Sequence, residues 1–209
     1  MNKRIKQIAL LSLLGFVIGT GVAWMQVSRE LSFGYQAAKI EPASGPMAAE
    51  TAPGGAFTLT DQDGNAVTEK DYADSYKLVF FGFTNCPDVC PVELQKIATV
   101  MKALGPRAAD VTPLFISVDP QRDTPDVMKE YTAQFDPRII GLTGTPEQVK
   151  AAEAAYKVYA ARVDDPSLSD YTMNHSSYTF FMSPDGKLIS LFSPRDAASD
   201  IVKQMMQAL

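Results

Sequence analysis

The residue types best suited to redox and soft-metal chemistry are nearly missing from this 209-residue chain, which has two cysteines and one histidine. Two cysteines exclude any multi-bridge disulfide framework and leave at most one bridge or two thiols. A closed zinc site built from four cysteine and histidine ligands is excluded too. Basic residues are also short. There are 19 Lys and Arg against 24 Asp and Glu, a formal net charge of −5. Three of those bases, Lys3, Arg4 and Lys6, come before any acid; without them 16 bases face 24 acids, a balance of −8. A body of that sign repels polyanions, so no nucleic-acid partner is expected. No internal repeat is visible.

Charge is absent from Gln7 through Ser28, a run of mostly apolar residues. As a helix, a run of this length spans roughly 33 Å, enough for a hydrocarbon core about 30 Å thick. Trp24 stands near its far end, where an interfacial aromatic is common. A cleaved signal peptide is the competing reading, but no A-x-A site follows; Ala23 is succeeded by Trp24, Met25 and Gln26. The expected organisation is a basic cytoplasmic N-terminus at 1–7, a transmembrane anchor at 8–28 and a flexible linker at 29–55. A folded domain at 56–209 follows. Bases before the span favour an N-in, single-pass orientation. The simplest address is a bacterial inner membrane with the domain in the periplasm.

The folded part alternates strand and helix signals. Phe57 and Leu59 alternate with threonines ahead of Asp63-Gly64-Asn65, predicting a hairpin over 56–69. Lys77–Phe83 and Val111–Val118 are apolar runs suited to strands buried on both faces. Ile97, Val100, Met101 and Leu104 recur at helical spacing before Gly105-Pro106. Thr124-Pro125 and Thr145-Pro146 each open a helix, and Gln148 completes a capping box with Thr145. A short strand at Arg138–Leu142 lies between those helices. Strands at Ser177–Met182 and Lys187–Phe192 flank a Ser-Pro-Asp-Gly turn, and a last helix covers 196–208. The pattern is an α/β sandwich with an N-terminal β-hairpin and a later hairpin. A buried strand leading into a cysteine motif and then a helix points to a thioredoxin-like fold.

The cysteine motif reads Cys86-Pro87-Asp88-Val89-Cys90-Pro91. Near a helix N-terminus, the dipole and free N–H groups stabilise thiolates. Four residues apart on one helical turn, the two sulfurs share a face, at a backbone separation of about 6 Å that also permits a disulfide. The pair can therefore chelate an ion when reduced or close a bond when oxidised. His175 follows 85 residues later, just before a predicted strand, where strand ends of a parallel sheet converge. Two thiolates and one imidazole suit Cu(I), and the imidazole also accommodates Cu(II). One ion per chain is expected, held by Cys86, Cys90 and His175. Three further residues are candidates around it: Asp119 to orient His175, Asp88 to set the local field or touch a partner, and Met173 beside the histidine. Asp119 also reads as an Asp-Pro turn residue, and Asp123 and Thr124 as helix caps.

The same dithiol supports a rival reading, a thiol–disulfide oxidoreductase acting on a periplasmic target. Such reductases typically carry two residues between the cysteines and a proline beside the site, whereas residues 171–178 contain none. A peroxiredoxin-type peroxidase would have no use for His175.

The cysteine motif, the Ser117-Val118-Asp119-Pro120-Gln121-Arg122-Asp123-Thr124-Pro125 segment, and His175 followed by Ser183-Pro184-Asp185-Gly186 resemble the Sco/SenC family. They stand in the family's order over roughly residues 53–209. The resemblance implies a thioredoxin-like fold and copper bound by Cys86, Cys90 and His175. It also implies a role in assembling the binuclear copper centre of cytochrome c oxidase subunit II, with a periplasmic copper donor upstream. Many members have an acid just before the histidine; this chain has Asn174, so no carboxylate is expected there.

Overall fold

The sheet is built outward from the two most apolar segments of the chain. In this computed structural model, which describes residues 52–209 except 165 and 167–169, they form adjacent parallel strands. These are β3 (Tyr76–Gly82) and β4 (Val111–Ser117), and nearly every residue of both is buried. Continuous apolar runs serve strands covered on both faces, which is what the centre of a sandwich requires. Around them, in chain order, lie β1 (Thr58–Asp61), β2 (Ala66–Thr68), β5 (Ile140–Thr143), β8 (Thr179–Met182) and β9 (Leu188–Phe192). The sheet runs β2-β1-β5-β4-β3-β8-β9. β3, β4 and β5 are parallel; β1, β2, β8 and β9 join antiparallel.

Four helices cover it: α1 (Val89–Ala103), α2 (Pro125–Thr132), α3 (Pro146–Tyr156) and α4 (Ala198–Met205). Successive strand residues point to opposite faces. On one face Phe80 stacks on Phe115, which meets Tyr131 of α2, while Cys90 of α1 packs against Gly82. On the other, Phe81 and Phe180 meet Tyr156 at the end of α3. α1 and α4 pack together. The hairpin expected over 56–69 is β1–β2, and Thr145 and Gln148 form their capping box. Thr124 caps α2 by accepting from the Val127 N–H.

One element has no counterpart in the sequence reading. β6 (Ala160–Val163) and β7 (Thr172–His175) form a separate two-stranded sheet. His175 is the last residue of β7 rather than a loop residue ahead of β8. The segments AARV and TMNH are half-exposed and carry little apolar alternation, so no strand period marks them. Backbone pairing of Ala160 with His175 and Val163 with Thr172 holds them together. The expected N-terminus at 1–7, the anchor at 8–28 and most of the linker lie outside the described residues. Among the described residues no helix is long and apolar enough to cross a membrane.

Candidate metal centre

Two cysteines reach the same mouth of the sheet by different means. Cys86 sits in the loop after β3, and Cys90 is the second residue of α1. The pair therefore does not lie on one helical turn as the spacing suggested. Pro87 and the bend at 87–88 separate them, and the helix begins only at Val89. The outcome for the sulfurs is similar, because the loop folds Cys86 back over the helix start. Its Sγ accepts from the Cys90 N–H at 3.4 Å. Cys90 is fully buried and Cys86 half-buried, and both are free thiols.

The two thiols titrate in opposite directions. The Cys90 thiol donates to Cys86; with His175 and the Cys90 and Asp88 backbone groups it lowers Cys86 to about 4, against the opposing effect of partial burial. Cys90 is pushed up, first by that same hydrogen bond and then by burial. One thiolate and one thiol share the site at neutral pH. Space for the buried sulfur is made by Gly82. A Cβ there would come within 2.8 Å of both Cys90 Sγ and Phe115.

His175 comes to the thiols on the end of β7. Its Nε2 lies 3.5 Å from Cys90 Sγ, and its Nδ1 lies 3.0 Å from the Ser176 carbonyl oxygen. A carbonyl can only accept, so Nδ1 keeps a proton. Nε2 is left facing the sulfurs, where its lone pair can be offered to a metal. The rings of Phe80 and Phe83 meet the imidazole edge-on at centroid distances of 6.3 and 5.8 Å. One donor atom from each of Cys86, Cys90 and His175 lies within 4.8 Å of the other two. Cys86 and His175 open onto a depression of about 200 Å3, with Cys90 buried beneath them.

The three flanking candidates fare differently. Met173 and Asp88 both line the depression. Asp88 is exposed, its side chain makes no helix cap, and its backbone N–H serves Cys86. Asp119 does not touch His175. Its two oxygens are taken by Arg122 Nε and, at 2.7 Å, by the Tyr171 hydroxyl, while the imidazole is oriented by a main-chain carbonyl. An Asp-Pro at a strand end cannot be assigned a partner from local sequence, which is why the imidazole contact and the turn reading both stood open. Asp123 is no helix cap. It is wholly buried and accepts from Thr84 N–H, Thr84 Oγ1 at 2.6 Å and Ser117 Oγ at 2.6 Å. Burial pushes its carboxyl above the usual range against those donors.

A dithiol with a single imidazole at the mouth of a thioredoxin-like sheet has counterparts among known proteins. The SCO1/SenC family model matches residues 45–209. The chain belongs to the SCO1/SenC family. It is 40% identical over 168 residues to the mitochondrial SCO1 homolog 1 of Arabidopsis thaliana, covering 78% of this chain and 50% of that protein. The chain thus spans about half the length of that relative. A structure of Bradyrhizobium japonicum ScoI with copper bound superposes with a TM-score of 0.70 at 42% identity, covering 76% of this chain and all of that one. BsSco is described as having a disulfide switch and as a member of the Sco family of cytochrome c oxidase assembly proteins. It matches with a TM-score of 0.58 at 26% identity, over 74% of this chain and 91% of that one. The thioredoxin-like α/β fold is shared with these structures.

Proposed function

We propose that this chain is a copper chaperone that holds one ion between Cys86 Sγ, Cys90 Sγ and His175 Nε2 and releases it during cytochrome c oxidase assembly. The observation that carries the reading is the convergence of these three donor atoms within 4.8 Å. The donor set fits the cargo. Sulfur is the preferred ligand of Cu(I), imidazole serves either oxidation state, and three ligands leave a position through which a partner can take the ion. Cys86 already carries the thiolate that a metal needs. The Ser176 carbonyl keeps the proton on Nδ1, so the nitrogen facing the sulfurs is the one free to bind. Copper bound to the Bradyrhizobium relative and the assembly role named for BsSco support the same reading.

The finer assignments belong to this proposal. The recipient is the binuclear copper centre of subunit II, and a periplasmic donor supplies the ion. The uncharged run at 8–28, preceded by Lys3, Arg4 and Lys6, anchors the chain N-in with the domain outside.

A thiol–disulfide role is favoured by one observation, a half-buried thiolate beside a buried thiol. Removing the imidazole separates the two. The reduced domain is expected to bind one equivalent of copper, and His175→Ala to weaken that binding sharply while thiol exchange continues. If His175→Ala holds copper as tightly as the parent, the three-ligand site is wrong. If that variant still supports oxidase assembly in cells, thiol exchange is the working activity.

A further inference from the structure

Among the described residues, the strands of the hairpin that bears His175 pair only with each other. β6 and β7 belong to no other sheet, and an isolated two-stranded hairpin is marginal in water. Something must hold it against the body for the imidazole to stay beside the thiols. At the His175 end, the Ser176 N–H donates to the Tyr159 carbonyl and the Tyr159 N–H to Ser176 Oγ, which continues the pairing of the two strands and ties the hairpin to itself rather than to the body. At the other end is a clasp built around Tyr171. Its ring lies between two guanidinium groups, Arg122 and Arg162, each with Cζ 3.7 Å from the ring centroid. Two groups that close to one centroid must occupy opposite faces. The Tyr171 hydroxyl donates to Asp119, and Arg122 Nη1 donates to the Tyr171 carbonyl at 2.9 Å.

The clasp does not end at Asp119. Ser117 Oγ accepts from the Asp119 N–H at 2.9 Å and donates to Asp123. Asp123 in turn accepts from both the N–H and the hydroxyl of Thr84, two residues before Cys86. Ser117, Asp119 and Asp123 are all buried. One continuous polar chain thus runs from the start of the cysteine loop, across the end of β4, to the turn end of the histidine hairpin.

We propose that Arg122 and Tyr171 are positioning residues, and that this chain of contacts sets the imidazole against the thiols. Connected polar networks hold a geometry because alternatives leave polar groups unpaired, and within this one Arg122 Nη2 is the atom without a hydrogen-bond partner among the described residues. Arginine suits the task, since its planar fork stacks on an aromatic ring while it also binds a carboxylate. The inference rests on the copper reading for its binding arm, but the hairpin's attachment can be read without metal.

The test compares the full chain, reduced, as parent, Tyr171→Ala, Tyr171→Phe and His175→Ala. Without copper, Tyr171→Ala should speed hydrogen exchange at the Ser176 amide while amides of the central β3 and β4 strands stay unchanged. With copper, in competition against a Cu(I) chelator, Tyr171→Ala should weaken binding about tenfold, the scale of losses from supports outside the ligand set. Tyr171→Phe, which keeps the stack and loses the Asp119 bond, should fall between parent and Tyr171→Ala. Parent-like exchange at Ser176 together with parent-like affinity in Tyr171→Ala overturns the proposal. Faster exchange of the β3 and β4 amides in that variant would also overturn it, by showing a general effect on the fold. A parent that binds no copper instead sinks the copper reading, and the exchange arm then decides the clasp alone.

Discussion

Cys86 and Cys90 are the same residue type four positions apart, yet their chemistry diverges because one is half-exposed over a helix start and the other is sealed beneath it. The exposed sulfur gathers hydrogen bonds from the Cys90 thiol and from backbone N–H groups, while the buried one supplies a proton. The sign follows directly. A thiol whose proton leaves at about 4 is ionised at every pH above that value, and only the thiolate attacks an alkylating agent. Alkylation of Cys86 in the reduced protein should therefore stay nearly constant from neutral pH down to about pH 5 and fall as the pH drops through about 4. In Cys90→Ala the main donor is gone, so the midpoint should move to higher pH. A midpoint in Cys90→Ala equal to the parent's, read from the pH profile of iodoacetamide labelling, would remove the thiol–thiolate hydrogen bond as the cause. Gly82 belongs at this scale as well. In the run Phe80-Phe81-Gly82-Phe83 it looks like a weak point in a strand, but it is the absence of a side chain there that gives Cys90 Sγ its place.

Among the elements, the strongly periodic or strongly apolar ones were legible and the hairpin of the site was not. β3 and β4 declare themselves because a strand buried on both faces must be apolar throughout. α2 and α3 declare themselves through Thr-Pro starts, where the hydroxyl caps and proline costs no hydrogen bond. β6 and β7 carry no such mark, since their pairing is to each other and their side chains are half in water. The segment between β4 and α2 was misread for a related reason. Asp123 sits where a cap is common, but the capping oxygen is that of Thr124, and Asp123 turns inward to Thr84 and Ser117. Its loss should loosen the cysteine loop. Asp123→Ala leaves a buried hydroxyl and the Thr84 donors without an acceptor, and a cost of about 3 kcal/mol is expected at about 1–3 kcal/mol per orphaned group. Urea unfolding of the parent and the variant measures it; a difference under about 1 kcal/mol would show that water or a neighbour replaces the carboxylate without loss.

In the molecule as a whole, an apolar N-terminal run precedes an acidic domain whose site faces open solvent. If residues 8–28 anchor the chain, the full-length protein should stay with membranes after an alkaline carbonate wash. The domain should then be digested by protease added to spheroplasts but not to intact cells. Release by carbonate would mean that the segment is cleaved or lies on the surface. Composition alone narrowed the thiolate and imidazole ligands to the two cysteines and one histidine of the chain, the nine methionines being the other source of soft sulfur. Local periodicity likewise determined the central strands and the capped helices, since burial and capping are written within a few neighbouring residues. Only the tertiary structure decided that Nε2 of His175 faces Cys90 while Nδ1 is held by the Ser176 carbonyl, and that Asp119 acts on Tyr171 rather than on the imidazole. Those contacts join residues as much as 85 positions apart through backbone pairing and a stacked ring, interactions that leave no period along the chain.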